Sequence, residues 1–441
     1  LYTYNDLGWK IREQIKVQET DPALYRVIAY TYDSQGNKVE EAYGQQEVER
    51  DGEPDGWHRI HFSYDKNNHL NVVKDDFGAK MRYDYDCLGN VTLEERVIAD
   101  GVHSVIHYAY NKNGWLVQRT EEIQGNGPVQ AAVTRYAYDA NGNLTKITTP
   151  KGSEIRRSYD ADDRLTGERV LDRKNGIDRR VQYAYDAAGN VLKQAILGTD
   201  GECLESSTRY DLKDRATHRT NPAGGVTRYL YDRFSYNLRN QPVIQKDTFG
   251  NRTELSYELD GKIKDVRRSG NHQRILQQYE YNARRQITGV VDGNRNPISY
   301  DVDSWGRITG IGFADGGKEG YEYTPAGQVS RTIDGNGNAV QYRYNSLGKI
   351  SERIDQLGFT ETFRYDEEGT LSLHIDRDGR QLQRACNVFG QPVYEKASDA
   401  EGKHTNISTW HYDSLGRVTR AVCDGKSYEY IYDAYGNLKE K

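Results

Sequence analysis

Apolar and polar residues alternate one by one in short runs along this chain, and a turn cluster breaks the alternation about every ten residues. In VQYRY at 340–344, Val340, Tyr342 and Tyr344 fall on one side of an extended strand, and Gln341 and Arg343 on the other. The run that follows places Ile350, Glu352 and Ile354 on one side and Lys349, Ser351 and Arg353 on the other. Between the runs stand pairs of Asp or Asn with Gly three residues later: Asp334/Gly337, Asn345/Gly348, Asp355/Gly358, Asp366/Gly369, Asp376/Gly379 and Asn387/Gly390. Such pairs mark a type I turn closed by a residue of positive φ, a common hairpin connection. Turns this frequent leave no room for helices of ordinary length. The pattern predicts strand, turn, strand, turn, with strands of six or seven residues and one tyrosine-rich face.

The runs are copies of one phrase. Aligned on the second tyrosine of YTYND, it recurs at 4, 32, 64, 85, 110, 138, 159, 185, 210, 231, 257, 281, 302, 323, 344, 365, 386, 412 and 432, which makes 19 units spaced 20 to 32 residues apart. The anchor is Tyr except at Val302 and Cys386, and an acid or amide follows it except at Thr324. Four residues past the anchor stands Gly, except at Asn68, Asp163, Asp214, Ser235 and Arg285. Three of those five are Asn or Asp, the residues that best tolerate the left-handed conformation after glycine. The phrase therefore predicts an all-β fold: a long antiparallel ribbon of tandem β-hairpins over 1–441, two strands per unit. A flat ribbon of that many strands, spaced ~4.8 Å apart, would run about 180 Å. Open sheets curl or close long before that, so the ribbon is expected to coil into a spiral, barrel- or shell-like wall whose successive passes meet. The widest spacing, Tyr32 to Tyr64, carries QQEVERDGEPDG, which reads as a surface loop.

Composition explains what kind of wall this is. There are 35 Tyr against 8 Phe, 43 Gly and one Met, so an aliphatic core of the usual kind is hard to fill. Tyrosine offers a flat body for cross-strand packing and a hydroxyl that can stay wet. The net charge of −6 is mild and both signs are interspersed, without a Lys/Arg block of the kind that follows phosphates, so nucleic acid is not an expected partner. Cys87, Cys203, Cys386 and Cys423 have no metal-binding spacing. No run is apolar enough to span a membrane as a helix.

Candidate chemistry dissolves into turn chemistry. Asp334, Asn336 and Asn338 mimic the opening of a calcium loop, but its sixth and twelfth positions are Ala339 and Asn345, where Gly and Glu are needed. The repeat multiplies carboxylates without singling out a catalytic pair. His58 and His61, or His103 and His107, are near in sequence but lack ligand spacing, and Cys386 occupies an anchor position suited to packing. The sequons at Asn90, Asn143, Asn251 and Asn406 are read as by-products of the phrase or chance. Trp9, Trp57, Trp115, Trp305 and Trp410 do not form the repeated clusters of a sugar-stacking platform. The reading is no catalytic, metal or cofactor-binding residue, no cofactor and no enzyme activity; glycan binding or cell-surface adhesion stands as the alternative.

The phrase Y-x-Y-D-x-x-G-N-[LV], clear in YAYDANGNLTKITTPKGSEIRRSYD and YRYNSLGKISERIDQLGFTETFRYD, resembles the YD repeat of Rhs proteins. The same repeat occurs in wall-associated polymorphic toxins, the B and C components of Tc toxins, and teneurins. The resemblance covers essentially the whole chain. It implies hairpins spiralling into a hollow shell that, in bacterial members, encloses a C-terminal toxin until delivery. The implied partners are that toxin cargo and neighbouring shell segments, and the implied location is secreted or cell-surface. The family's closing core with its self-cleaving aspartates, the Asp-Pro-x-Gly-Leu ending and a toxin domain are not recognised, so the chain reads as a repeat section of a longer protein.

Overall fold

A computed structural model describes the chain except residues 19–23, 47–57, 77, 124–129, 198–202, 229–232, 238, 240, 247–251, 259–260, 270–273, 283–285, 304–305, 404, 414 and 434–436. Forty strands and no helix occur among the described residues. Nineteen, from Tyr2–Tyr4 to Val226–Arg228, form a first sheet; nineteen more, from Arg233–Tyr236 to Lys426–Glu429, form a second; Ile431–Tyr432 and Leu438–Glu440 make a short pair. Within each sheet the strands pair antiparallel with their chain neighbours, as expected of hairpins in tandem. Wider spacings lengthen strands: Val91–Ala99 and Val102–Tyr110 have nine residues each. The loop expected at 45–56 begins with Gln45 and Gln46 still in a strand, and from 47 onward lies outside the described residues.

The phrase folds by satisfying itself. After Tyr138, the Asp139 carboxylate accepts the N–H of Asn141 at 3.0 Å and of Asn143 at 2.9 Å, while the Gly142 N–H donates to the Asp139 carbonyl at 3.3 Å. Gly142 has φ +95°. Asn68, Asp163 and Asp214 take the same left-handed conformation, with φ 71°, 60° and 56°. Pairing then slips by one: Tyr138 faces Leu144, but Ala137 faces Lys146, leaving Thr145 as an extra residue in a β-bulge.

This slip corrects the faces read from strict alternation. In a later hairpin Tyr365 opposes Leu371 and Phe363 opposes His374, so positions two and five past the glycine share the tyrosine side. Phe363 and His374 stack with centroids 4.7 Å apart. The grouping of Ile350, Glu352 and Ile354 took no account of the bulge. A second correction concerns the unit anchored at Tyr231. The turn there is Asn237–Gln241, following Tyr236, so the phrase lies five residues later and Ser235 is a strand residue. Tyr231 itself lies outside the described residues.

Most anchor tyrosine hydroxyls are bound rather than wet. Tyr159 donates to the Leu144 carbonyl at 2.9 Å, Tyr185 to Leu165 at 2.7 Å, Tyr281 to Ile263 at 2.8 Å and Tyr365 to Ile350 at 2.9 Å. Tyr32, Tyr64, Tyr85, Tyr210, Tyr257, Tyr323, Tyr412 and Tyr432 bind the equivalent carbonyl. Wherever the turn residue of positive φ in the preceding unit is described, the acceptor lies two residues past it. Ladder pairing between Leu144–Thr148 and Glu154–Tyr159 stops at Lys146 and Arg156, so the Leu144 carbonyl lies beyond it. The phenol of the next unit supplies its donor.

The residue after that turn position also reaches forward, a role the sequence reading missed. Trp9 packs on Tyr32 and Trp115 on Tyr138, each with centroids 5.4 Å apart and planes at 45°. Arg307 lies 4.7 Å over the Tyr323 ring, and Gln391 donates to the Gly416 carbonyl at 2.8 Å. Asn143 and Asn190 donate to Asp163 and Asp214. Indole, guanidinium and amide thus do the same job at one position.

Two compact units result. One comprises Leu1–Tyr85, Glu94–His103 and Tyr231–Arg343; the other comprises Asp86–Leu93, Ser104–Leu230 and Tyr344–Lys441. Each contains strands of both sheets. Replacing Gly142 by Val is expected to destabilise the fold by about 2 kcal/mol or more, because a β-branched residue resists positive φ and a Cβ there would lie 3.0 Å from Trp115. Gly142→Asn should cost much less. Hydrogen exchange of 136–148 checks both, and equal protection in the two variants would refute the turn assignment.

Candidate functional site

The described residues hold no group of three or more His, Cys, Asp or Glu able to bind a metal. What they hold is a seam. In the second unit the phrase turns of the second sheet lie against the opposite, inter-phrase edge of the first. Ser346 Oγ donates to the Glu122 carbonyl at 3.4 Å, Lys151 Nζ reaches Asp366 at 2.6 Å, and the Val388 N–H donates to Asp172 at 3.0 Å. In the first unit Arg96 donates to the Ala326 carbonyl at 2.9 Å. These partners follow one rule: the strand bearing or preceding the first and the strand preceding the second are twenty apart in chain order. A later pass of ribbon is thus bound along its edge to an earlier pass.

Several buried residues lie at or beside the seam. Ile98, Val170, Leu171, Ile177 and Val181 are among the few buried apolar residues, and Ser346, Asn387, Asp172 and Ser153 are buried polar ones. Asp172, 4% exposed, also accepts from the Asn175 side chain at 2.7 Å. Burial pulls the Lys151 ammonium down, but its bond to Asp366 and the charges of Asp366 and Glu368 outweigh that and hold its pKa above the ordinary value. Arg179 stacks 5.2 Å over the Phe389 ring. A cavity of about 180 Å³ remains, lined by Lys151, Asp172, Asp366, Glu368, Arg384 and Cys386 among others. Its charges already pair with one another or with neighbouring strands, Arg384 with Glu395.

The structure places the sequence candidates as follows. Asp334 accepts the N–H groups of Asn336 and Asn338 and the Asn338 side chain, all at 2.9 Å, so these residues form a turn rather than a cation loop. His103 meets Glu95 and His107 meets Glu122, each at 2.9 Å; they are not brought to one site. His61 lies 3.4 Å from Glu40, and the His58 side chain is outside the described residues. Cys386 is buried opposite Pro392, and burial pushes its thiol pKa up, the reverse of what a nucleophile needs. Asn90 and Asn143 bond to Asp86 and Asp139 within their turns, Asn406 is exposed, and Asn251 is outside the described residues. Trp9 and Trp115 are committed to turn packing, Trp410 is half-buried, and Trp57 and Trp305 are outside the described residues.

Against known proteins, residues 130–154 and 138–174 match the RHS Repeat, and 234–385 match the Teneurin YD-shell. The tRNA3(Ser)-specific nuclease WapA of Bacillus spizizenii is 28% identical over 45% of this chain and 8% of its own length. The probable deoxyribonuclease RhsA of Dickeya dadantii is 25% identical over 56% and 14%. Toxin protein Tse5 of Pseudomonas aeruginosa is 26% identical over 34% and 13%. The chain therefore spans a small part of each relative. Among solved structures, that of TcdB2-TccC3-TEV aligns over 98% of this chain and 30% of its own, with TM-score 0.59 and 12% identity, a likeness of fold.

The turn carboxylates set a pH limit. Asp33, Asp86 and Asp334 are held below the ordinary aspartate value by the side chains of Asn37, Asn90 and Asn338, with turn N–H groups adding to this. Arg215 holds Asp211 at about 2, Lys146 and Arg156 hold Glu154 at about 2, and Arg169 holds Asp178 at about 2. A depressed folded pKa stabilises above the unfolded value, and that stability is lost as pH falls through the folded value. The melting temperature should hold steady down to about pH 4 and fall steeply from there towards pH 2. A melting temperature unchanged at pH 2 would contradict these assignments.

Proposed function

We propose, from the premise that this chain is a member of the Rhs/YD-repeat family, that it is a wall section of a hollow β-shell enclosing the C-terminal toxin polypeptide of a longer, exported bacterial protein. The observation that carries this reading is the seam. A ribbon whose later pass is bound to an earlier one, twenty strands on in these four contacts, is built to enclose space rather than to present a cleft. The nuclease and toxin names of the relatives belong to proteins of which this chain matches 8 to 14%. Catalysis is accordingly assigned to the cargo and not to this section, whose own role is structural.

Containment follows from the turns and the seam. Turn amides donate to the Asp or Asn of their own phrase, anchor phenols occupy carbonyls beyond the ladder, and the seam joins edges that would otherwise admit a protease. The partners are the cargo chain and neighbouring shell segments, with no nucleic acid bound by the wall itself. The test is limited proteolysis of the parent protein with its C-terminal region. That region should copurify and resist digestion until the wall is denatured. Cleavage as fast as that of the isolated C-terminal polypeptide would overturn the reading.

A further inference from the structure

Cys386 stands where the repeat places a phenol, and it leaves that phenol's hydrogen bond unmade. The anchors on either side, Tyr365 and Tyr412, donate to the Ile350 and Pro392 carbonyls at 2.9 and 2.7 Å. The equivalent acceptor for Cys386 is the Leu371 carbonyl, two residues past Gly369, whose φ is +73°. Ladder pairing between Leu371–Ile375 and Gln381–Cys386 stops at Leu373 and Gln383, so that carbonyl lies beyond it. A thiol is too short to reach across as a phenol does, and no donor to this carbonyl occurs among the described residues.

The cavity of about 180 Å³ lies in this splay. Ser372, next to Leu371, lines it from the start of one strand, Ala385 and Cys386 from the end of the next, and Val388 and Val393 add apolar wall. Cys386 is 7% exposed, so the space is covered. Glu368 also lines it, and Glu368 Oε1 is buried without a hydrogen-bond partner. The cavity thus joins ring-sized room to acceptors in want of a donor; an engineered apolar cavity of ~150 Å³ is enough to hold benzene. The other anchor without tyrosine, Val302, has no such cover, since Ile287 at the equivalent acceptor position is 40% exposed.

We propose that this cavity binds a small phenol, with its ring in the space left by the missing anchor ring and its O–H donated as the anchor phenols donate theirs. Lys151 and Asp172 wall the cavity from the first sheet and Cys386 from the second, so a bound phenol would bridge the seam.

Phenol itself is the probe and benzene the control, each titrated into the 441-residue chain by calorimetry. Phenol is expected to bind saturably at one site, about threefold or more tighter than benzene, because only phenol supplies a donor; a purely apolar cavity orders the two the other way. Cys386→Ala keeps the space and should keep phenol binding, which shows that the thiol is not the ligand. Cys386→Tyr fills the space and should weaken phenol binding about tenfold or more. It should also melt at a higher temperature than Cys386→Phe, which fills the same space without a hydroxyl. Absence of saturable phenol binding to the native chain would overturn the proposal. So would benzene binding as tightly as phenol, or a folded Cys386→Tyr chain that binds phenol as the native chain does.

Discussion

One hydrogen bond does most to join this fold: in twelve units the anchor tyrosine donates to a carbonyl of the unit before. The turn and its bulge end ladder pairing two residues early, which leaves a carbonyl at the start of each return strand. A ribbon with a small aliphatic core cannot leave such groups without partners. Phenylalanine would fill the same space and leave the carbonyl bare, which accounts for tyrosine rather than phenylalanine at the anchor positions. The phenol joins neighbouring units as well, so each repeat is completed by the next, in the manner of linear repeat arrays.

On that ribbon the seam acts at longer range. It buries several groups where two passes meet, Ser346, Asn387, Asp172 and Ser153 among them. Three of its four polar contacts use a backbone partner, as Asp172 does with the Val388 N–H, so its register is fixed by direction as well as by apolar contact. A containment wall needs this combination: units that are individually thin, a chain that is continuous, and edges that recognise one another.

Much of this was legible in the sequence because turn chemistry is local. The Asp–Gly offset located nearly every hairpin, and Asn68, Asp163 and Asp214 announced positive φ through their own side-chain chemistry. Tyr231 misled because YLYD imitates the phrase five residues before the chain turns at Asn237. The return-strand faces were misread because a bulge residue such as Thr145 has no composition signature. The forward-reaching position after the turn was hidden by variety, since Trp9, Asn143, Arg307 and Gln391 share a task but no chemistry. The seam was not legible at all: Lys151 and Asp366 are 215 residues apart, and nothing local marks them as partners.

The role of the anchor phenols can be read directly from their ionisation. Burial raises the pKa of Tyr85, Tyr185, Tyr257, Tyr323, Tyr365 and Tyr412. A raised folded pKa stabilises fully below the unfolded value and is lost as pH rises through the folded one. Spectrophotometric titration of the tyrosines, followed together with the far-ultraviolet β signal, is the most direct measurement. The account predicts that these six stay protonated past the ordinary tyrosine value of about 10, and that their ionisation and the loss of β structure occur as one transition. Tyrosines that titrate completely near 10 while the β signal persists would contradict it.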